Sequence, residues 1–338
     1  MATGNSISTA NLRAELWRKQ LMADARDLLF MQRFIGSSEQ SMIQELTDLK
    51  KGKGDKINFG LGMKLSGSGV SGDSELEGNE EVMVDYEEDV SIDQIRNAVR
   101  LTGAMDEQKN CYNMRESAKN RLADWIAERI DQEIMDKLCG KTTSTFANTP
   151  TAAAATRSIW AGGQSSTGDV TTAMKMDTKV LDAAKQMAKL ASPRIRPLRI
   201  NGKEHYVAIL HPYDATNLRQ DSVWNQAQRE AGVRGNDNPI FSGALGIYNG
   251  IIVHEHEYVY RTNDGDTSAY VARNVLCGQQ AAVIAWGKPV SWQEKSFDYG
   301  NKMGFSCGAI FGCLKPIFNS LDYGVVTMFA ASAAATTA

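Results

Sequence analysis

A long amphipathic helix is the strongest pattern along this sequence. From residue 107 to residue 138, apolar side chains recur every three or four positions, which is the spacing of one helix face. The pattern lasts for about eight turns, so the predicted helix is a rod of about 45 Å. Gly140 follows as a stop signal. A shorter helix is predicted over 91–101, with Ser91 as its N-cap and Gly103 separating the two.

Two stretches that alternate between apolar and polar residues predict a β-ribbon. They lie at 58–65 and 81–86, and eight glycines occupy residues 52–78. Alternation with a period of two indicates strands, and the glycine-rich segment between them indicates a flexible tip. Such a ribbon has too little apolar surface to be stable alone. It therefore needs the rest of its domain, or another subunit, to lie on.

The remaining patterns predict a body that mixes helices and strands. Helical patterns are predicted at 11–34, 42–49, 178–191 and 212–231, the first two on an N-terminal arm. Runs rich in β-branched and aromatic residues predict strands at 205–210, 250–260, 268–276, 281–286, 290–297, 304–313 and 322–330. Residues 141–176, rich in Thr, Ala, Gly and Ser, indicate an excursion over the surface.

Charge is distributed unevenly although its total is balanced. The chain has 37 Lys and Arg against 40 Asp and Glu, a net charge of −3. No Lys or Arg occurs at 65–95, and the ribbon tip carries an acidic set: Asp73, Glu75, Glu77, Glu80 and Glu81. A basic set occupies 189–203 without any acid: Lys189, Arg194, Arg196, Arg199 and Lys203. Because opposite charges set orientation and partner choice, these ten residues are predicted intersubunit contacts. A solvated acidic loop is the alternative interpretation.

Composition argues against several classes of protein. Hydrophobic residues make up 42% and charged residues 23%, which is typical of a folded globular chain and not of a disordered one. The balanced charge argues against binding of nucleic acid through overall charge. No apolar run is long enough for a transmembrane helix, and no signal peptide is expected. Five cysteines without a CxxC pair favour folding in a reducing cytoplasm without a disulfide framework.

Two glycine motifs match enzyme signatures but lack the context that their chemistry needs. Residues 67–72 fit GxGxxG, yet an acidic, glycine-broken segment follows them where a dinucleotide site needs a helix. Residues 304–308 fit the GxSxG elbow around Ser306. That elbow requires a later histidine, and all four histidines precede Ser306. Neither motif predicts a site.

A pair of histidines is the remaining candidate for chemistry. His254 and His256 could begin a metal site. A third ligand would have to come from His205, His211 or Asp214 through folding. Histidines on a strand are more often structural, so the sequence predicts no catalytic residue, no cofactor and no bound metal.

Three segments carry a resemblance to a known family. They are the ribbon INFGLGMKLSGSGVSGDSELEGNEE, the segment IDQIRNAVRLTGAMDEQKNCYNMRESAKNRLADWIAERIDQEIMDKL, and the terminal GCLKPIFNSLDYGVVTM. In this order they resemble the major capsid proteins of tailed bacteriophages, which have the Hong Kong 97-like fold, and more closely the N4-type major capsid protein family. The resemblance runs from about residue 12 to residue 328 and depends on the order of degenerate patterns.

The resemblance implies an α+β capsid fold with five parts. They are an N-terminal arm (1–56), an extension loop formed by the ribbon (57–90), a peripheral domain with a spine helix at about 107–138 (91–192), an axial domain (193–300), and C-terminal strands that return to the peripheral domain and end in a disordered tail (301–338). The extension loop would lie over a neighbouring subunit, and the axial domain would line hexamer and pentamer centres.

The implied function is that of a major capsid protein, not an enzyme. It would assemble itself through hexamers and pentamers into the icosahedral shell around double-stranded phage DNA. Implied partners are further copies, a separate scaffolding protein, a portal, a decoration or cement protein and the DNA, contacted non-specifically, with no membrane. Assembly would occur in the bacterial host cytoplasm. The alternatives are an encapsulin-type shell of a cellular compartment and a soluble hydrolase or metalloenzyme that uses Ser306, or His254 and His256.

Overall fold

The computed structural model describes residues 21, 28–47, 54–62, 67, 69–81, 85–109, 113–200, 202–230 and 245–333. In chain order the strands are β1 (Ile35–Gly36), β2 (Ile43–Leu46), β3 (Lys56–Gly62), β4 (Asp85–Ser91), β5 (Asp93–Arg100), β6 (Ser158–Trp160), β7 (Leu198–Ile200), β8 (Lys203–Leu210), β9 (Gly246–Tyr248), β10 (Ile251–Glu255), β11 (Arg261–Thr262), β12 (Val271–Cys277), β13 (Ala282–Phe297), β14 (Lys302–Leu314), β15 (Ile317–Phe318), β16 (Leu321–Asp322) and β17 (Val325–Ala331). The helices are α1 (Ala104–Lys109), α2 (Met114–Leu138), α3 (Thr178–Leu190), α4 (Pro212–Gln220) and α5 (Ser222–Glu230).

Two sheets form the body of the described protein. In the first, the strand order is β1-β2-β13-β14-β5, with a long antiparallel hairpin of β13 and β14 at its centre. In the second, the path runs β6-β17-β12-β8-β10-β9, with β11 paired to β12 and β7 paired to β8. The predicted ribbon is the hairpin of β3 and β4, and β15 and β16 form a second small hairpin.

The long helix begins later than the sequence pattern predicts. α2 starts at Met114, where the side chain of Asn113 accepts the N–H of Glu116. The predicted range 107–138 also overlaps α1, and residues 110–112 lie outside the described residues. The end of the helix agrees with the prediction, because Gly140 has φ +64° just beyond it.

Residues 91–101, predicted to be a short helix, are mainly strand instead. The chain passes from β4 into β5, which pairs antiparallel with β14. Along β5, exposed and half-buried side chains alternate, and this period of two is typical of a half-buried strand. Pairing with β14 outweighs the local helical signal.

Two more helical predictions need correction. Residues 43–46 form β2, which lies parallel to β1 on one side and β13 on the other. The run 212–231 is divided at Asp221, whose carboxylate accepts the N–H of Val223 at the start of α5 (3.1 Å). By contrast, α3 agrees with its prediction, including the cap at Asp177, which accepts the N–H of Val180 (3.0 Å).

Two large apolar cores hold most of these elements together. The larger core joins α2 to both sheets, through residues such as Ile130 of α2, Phe311 of β14 and Val275 of β12. The second core packs α3 against the second sheet, through residues such as Leu181 and Met328. The long helix therefore links the sheet that supports the ribbon to the sheet that carries the basic segment.

Candidate assembly surface

The ribbon is anchored at its root by one apolar face. Ile57, Phe59 and Leu61 are buried, while the residues between them are exposed. The three buried side chains pack with Val283 and Leu314 of the first sheet. The alternation in the sequence predicts one apolar face, and the structure shows that the subunit itself holds this face at the root of the ribbon.

The acidic set lies on an exposed turn at the ribbon tip. Residues 71–81 are all exposed, including every member of the set: Asp73, Glu75, Glu77, Glu80 and Glu81. The backbone N–H of Asn79 donates to the carbonyl of Leu76 (3.0 Å), and its side chain donates to the carbonyl of Glu75 (3.0 Å). The N–H of Gly78 donates to the carboxylate of Glu80 (2.8 Å). The tip is therefore a turn held by its own hydrogen bonds, and it presents Leu76 to solvent.

The basic set occupies adjoining segments of the second sheet's surface. Lys189 lies in the last turn of α3, Arg199 in β7 and Lys203 at the start of β8. Arg194 and Arg196 lie in the segment between α3 and β7, and all five side chains are exposed. The structure therefore groups this set, as it groups the acidic one.

One member of the basic set already has an acidic neighbour in its own chain. The guanidinium of Arg194 lies 3.7 Å from the carboxylate of Glu204, and both side chains are about half exposed. A surface pair of this kind contributes at most about 1 kcal/mol. It can therefore exchange for a partner on another subunit at little cost.

A buried lysine connects the long helix to the ribbon, a link that sequence reasoning missed. The ammonium of Lys137 donates to the hydroxyl of Ser144 (3.3 Å) and to the carbonyls of Phe146 (2.9 Å) and Asn148. Burial lowers the pKa of Lys137, and Glu133 one turn earlier opposes that shift. Their i,i+4 spacing was the available signal.

The loop that Lys137 holds reaches the end of β4. The side-chain oxygen of Asn148 accepts the N–H of Ser91 (3.0 Å), and its side-chain nitrogen donates to the carbonyl of the same residue (2.9 Å). The base of the ribbon is therefore tied to the long helix through this loop as well as through its apolar face.

A buried carboxylate ties the described part of the arm to the long helix. The two oxygens of Asp131, in α2, accept the N–H groups of Phe30 (2.8 Å) and Met31 (3.1 Å). Burial raises the pKa of Asp131 to about 6, although these two hydrogen bonds lower it. Charge-assisted bonds to backbone N–H groups are stronger than neutral ones, so they fix the position of this segment.

The histidines of the metal hypothesis pack against this same segment of the arm. The ring centroid of Phe30 lies 5.9 Å from that of His254 and 4.6 Å from that of His256. Burial lowers the pKa of His256 to about 4. Across the described part of the chain, no three or more His, Cys, Asp or Glu side chains are grouped so that they could hold a metal ion.

The serine of the hydrolase hypothesis is part of a regular strand. Ser306 lies within β14 opposite Gln293, and its hydroxyl donates to the carbonyl of that residue (3.3 Å). A nucleophile elbow would place the serine on a sharp turn between a strand and a helix. After the glycine motif at 67–72, the described residues 73–81 form turns and extended chain, without the helix that a dinucleotide site needs. Among the described helices, none is both long enough and apolar enough to cross a membrane.

The molecule has the form of an assembly subunit, with a body of two sheets, a long helix against them and an acidic ribbon that extends from the body. A family model described as phage capsid protein matches residues 5–334. Since this is nearly the whole chain, the protein belongs to the phage capsid protein family.

Individual relatives agree with this family. The chain is 33% identical to the major capsid protein of Pseudomonas phage KPP25, over 97% of this chain and 98% of that protein. The capsid of Ralstonia phage GP4 matches the structure with a TM-score of 0.83 and 29% identity, covering 91% of this chain and 92% of the other. The capsid of cyanophage Pam1 matches with a TM-score of 0.76 and 25% identity, covering 89% and 92%.

These similarities confirm the prediction of a tailed-phage major capsid protein with an α+β, Hong Kong 97-like fold. The protein is a structural component of the virion capsid that associates with further copies of itself. The encapsulin alternative is not favoured, because the family and the relatives named above are phage capsids.

Proposed function

We propose that copies of this protein assemble through hexamers and pentamers into the icosahedral shell that encloses the double-stranded DNA of the phage. The observation that carries this proposal is the ribbon tip, which is acidic and exposed in the subunit. A segment that gains its contacts from a neighbour makes stability depend on assembly. Many weak contacts repeated by symmetry then close a shell.

In this proposal, the parts of the chain have separate tasks. Residues 1–56 reach another subunit, 57–90 lie over a neighbour, 91–192 form the peripheral domain, 193–300 the axial domain, and 301–338 return to the peripheral domain. Pairing of β14 with β5 supports that return. β17 lies between β6 and β12 and so joins the peripheral and axial parts.

The proposed partners beyond further copies are a separate scaffolding protein, a portal, a decoration or cement protein and the packaged DNA. Contact with DNA would be made to phosphates by Lys and Arg on the inner face, since phosphate contacts carry no sequence information. The net charge of −3 favours a wall that confines DNA without binding it strongly. Assembly in the host cytoplasm is supported by the described cysteines, which are buried free thiols: Cys139, Cys277, Cys307 and Cys313. Mass spectrometry of purified particles would identify the protein partners.

Deletion of residues 67–78 is expected to leave folded subunits that no longer form closed shells. The described residues of this stretch are largely exposed, so their loss removes little buried surface from the subunit. Electron microscopy and sedimentation after co-expression with the other head genes would detect the shells, and circular dichroism would check the subunit. A Gly/Ser segment of equal length is the matched control for ribbon length. Normal shells from the deletion would contradict the proposal.

Charge reversal of Arg194, Arg196 and Arg199 to Glu is expected to weaken assembly, and more at low salt than at high salt. The reason is the screening length of about 10 Å at 0.1 M salt, which shrinks as salt rises. Light scattering at several ionic strengths would measure the assembly rate.

The specificity of this effect can be tested in two ways. Lys109→Glu, an exposed cation on α1, should change assembly little. Reversal of acids at the tip to Lys, in combination with the arginine reversal, should restore it. Equal weakening at all salt concentrations would show that the acidic and basic sets do not meet.

A further inference from the structure

A largely apolar groove lies beside the end of α3. It has a volume of about 500 Å³, and its lining includes Arg157, Ile159, Met187, Leu190 and Leu321. Leu190 is 76% exposed, the most exposed of these side chains. The volume lies within the range of about 300–1,000 Å³ that is usual for binding clefts. The groove therefore has room for an apolar side chain and its neighbours.

The groove contains a buried cation that the subunit does not fully compensate. Arg157 is 2% exposed. Its Nη2 donates to the carbonyl of Pro193 (2.7 Å), whereas its Nη1 has no hydrogen-bond partner among the described residues. A buried charged group without full pairing is unfavourable. Arg157 therefore places a positive charge beneath the groove, and a carboxylate bound in the groove would compensate that charge.

The acid that interacts electrostatically with Arg157 already has two other partners. Asp322 is the group that favours the charged form of Arg157. One of its oxygens pairs with the ammonium of Lys315 at 2.6 Å, and both side chains are almost fully buried. Its other oxygen accepts the N–H of Ala154 (3.2 Å). Asp322 therefore already pairs with one cation and one backbone N–H, so it compensates the charge of Arg157 only in part.

The ribbon tip has the complementary chemistry. Leu76 is 61% exposed and stands between Glu75 and Glu77, which are also exposed. The basic set begins beside the groove, since Lys189 precedes the lining residue Leu190 and Arg194 follows the lining residue Ser192 by two positions. An apolar centre with a charged rim is the usual anatomy of a protein interface.

We propose that this groove receives Leu76 from the ribbon tip of a second copy, with Glu75 or Glu77 close enough to compensate the buried charge of Arg157. The inference rests on the proposed self-assembly. It adds the binding site of the ribbon tip on the second copy, which is called the seat below. Leu76 fills the apolar part, one carboxylate lies over the groove and offsets the buried charge of Arg157 beneath it, and the other acids meet Lys189 and Arg194 at the rim. The hydrogen-bonded turn presents these side chains in a fixed order, which reduces the entropy lost on docking.

Disulfide trapping tests this seat directly. Leu76→Cys and Leu190→Cys are combined in one chain, whose described native cysteines are all buried. Mild oxidation of assembled shells is expected to give a ladder of disulfide-linked multimers on a non-reducing gel. Each single variant, and the double variant before assembly, should give no ladder. The matched control is Leu76→Cys with Val223→Cys, because Val223 is half exposed on α5 and does not line the groove.

The outcomes separate this inference from the proposed function. Shells without a ladder, or with an equal ladder for the Val223 control, overturn the seat and leave the shell proposal standing. A link within single chains means that the tip occupies its own groove and also overturns the inference. If the wild-type protein forms no shells when co-expressed with the other head genes, the proposed function fails first.

Two further variants measure the contributions of the apolar and charged parts. Leu76→Ser is expected to lower the association constant of each contact about tenfold or more, while Met105→Ser, also highly exposed, should leave it unchanged. Arg157→Met should leave the unfolding midpoint of free subunits unchanged or higher, since Lys315 and Asp322 keep their pair, but should lower the melting point of shells. A loss in shells no larger than the loss in free subunits overturns the role of Arg157.

Discussion

Alanine in place of Gly312 is expected to destabilise the subunit by about 3 kcal/mol or more. Gly312 lies in β14, and a Cβ atom there would stand 1.9 Å from the carbonyl oxygen of Ser91 and 3.2 Å from the Cα of Ile92. These are backbone atoms at the corner between β4 and β5, so no side-chain rotation can relieve the clash. Overpacking of a core costs about 1–3 kcal/mol, and displacement of two paired strands should reach or exceed that range. Stabilities of domains are only about 5–15 kcal/mol.

Soluble yield and urea unfolding of free subunits would measure the effect of Gly312→Ala. The matched control is Gly60→Ala in β3, because a Cβ at Gly60 would have no atom within 4 Å. The control should unfold near the wild-type midpoint. An unchanged midpoint for Gly312→Ala would show that the corner can move, and that the root of the ribbon is less firmly fixed than its contacts indicate.

Asparagine in place of Asp214 is expected to stabilise the subunit at neutral and alkaline pH. Asp214 is fully buried in the first turn of α4. One oxygen accepts from the side chain of Asn274 (2.6 Å), and the other makes no hydrogen bond of ordinary geometry within the described residues. Burial raises the pKa of Asp214 to about 7, from 3.8, although hydrogen bonds from Asn274 and Ser332 lower it.

The direction of the pH effect follows from this raised pKa. The folded state binds the proton more tightly than the unfolded chain, so the favourable contribution is complete below pH 3.8 and is lost as pH rises through about 7. A shift of about three pH units corresponds to at most about 4 kcal/mol. Asp214→Asn also removes a negative charge from the N-terminal turn of α4, and the lost interaction with the helix dipole offsets up to about 1 kcal/mol of this gain. The expected gain is therefore about 2–3 kcal/mol at about pH 8, and little at about pH 4.

Urea unfolding of free subunits across this pH range would test Asp214→Asn. His211, at the cap of the same helix, adds its own pH dependence between about 4 and 6.5, because burial lowers its pKa from 6.5 to about 4. This dependence is common to both proteins, so the difference between the variant and the wild type at each pH isolates Asp214. Asp266→Asn, at an exposed position, is the matched control and should follow the wild-type profile. If the unfolding free energies of Asp214→Asn and the wild type change with pH in parallel, Asp214 is ionised in both the folded and the unfolded state, and the prediction is wrong.

Sequence patterns were reliable where an element buries one continuous face. The apolar spacing of α2 and the run VARNVLC of β12 were both predicted, because burial against the core leaves a periodic record in the chain. The helices predicted at 91–101 and at residues 43–46 were wrong, because the structure of these segments depends on partners far along the chain. β5 pairs with β14, and β2 pairs with β13, each more than two hundred residues later.

The two charged sets were visible in the sequence because each occupies one short stretch. Their grouping in the structure follows from chain continuity, whereas any contact between them on different subunits remains a proposal. The groove at Arg157 had no signal in the sequence. Its lining comes from residues 156–159, from 183–192 and from Leu321, and nothing in the pattern of any one segment indicates the others.

The amino-acid sequence alone predicts the long helix, the ribbon, the longer strands of both sheets, the polarity of the charged sets and, through the order of its motifs, the family. Only the folded structure reveals the edge strands of the first sheet, the buried links at Asp131 and Lys137, and the groove beside α3. The physical reason is the range of the interactions. Periodicity and charge are properties of neighbouring residues, whereas strand pairing and the burial of polar groups depend on which distant segments folding brings into contact.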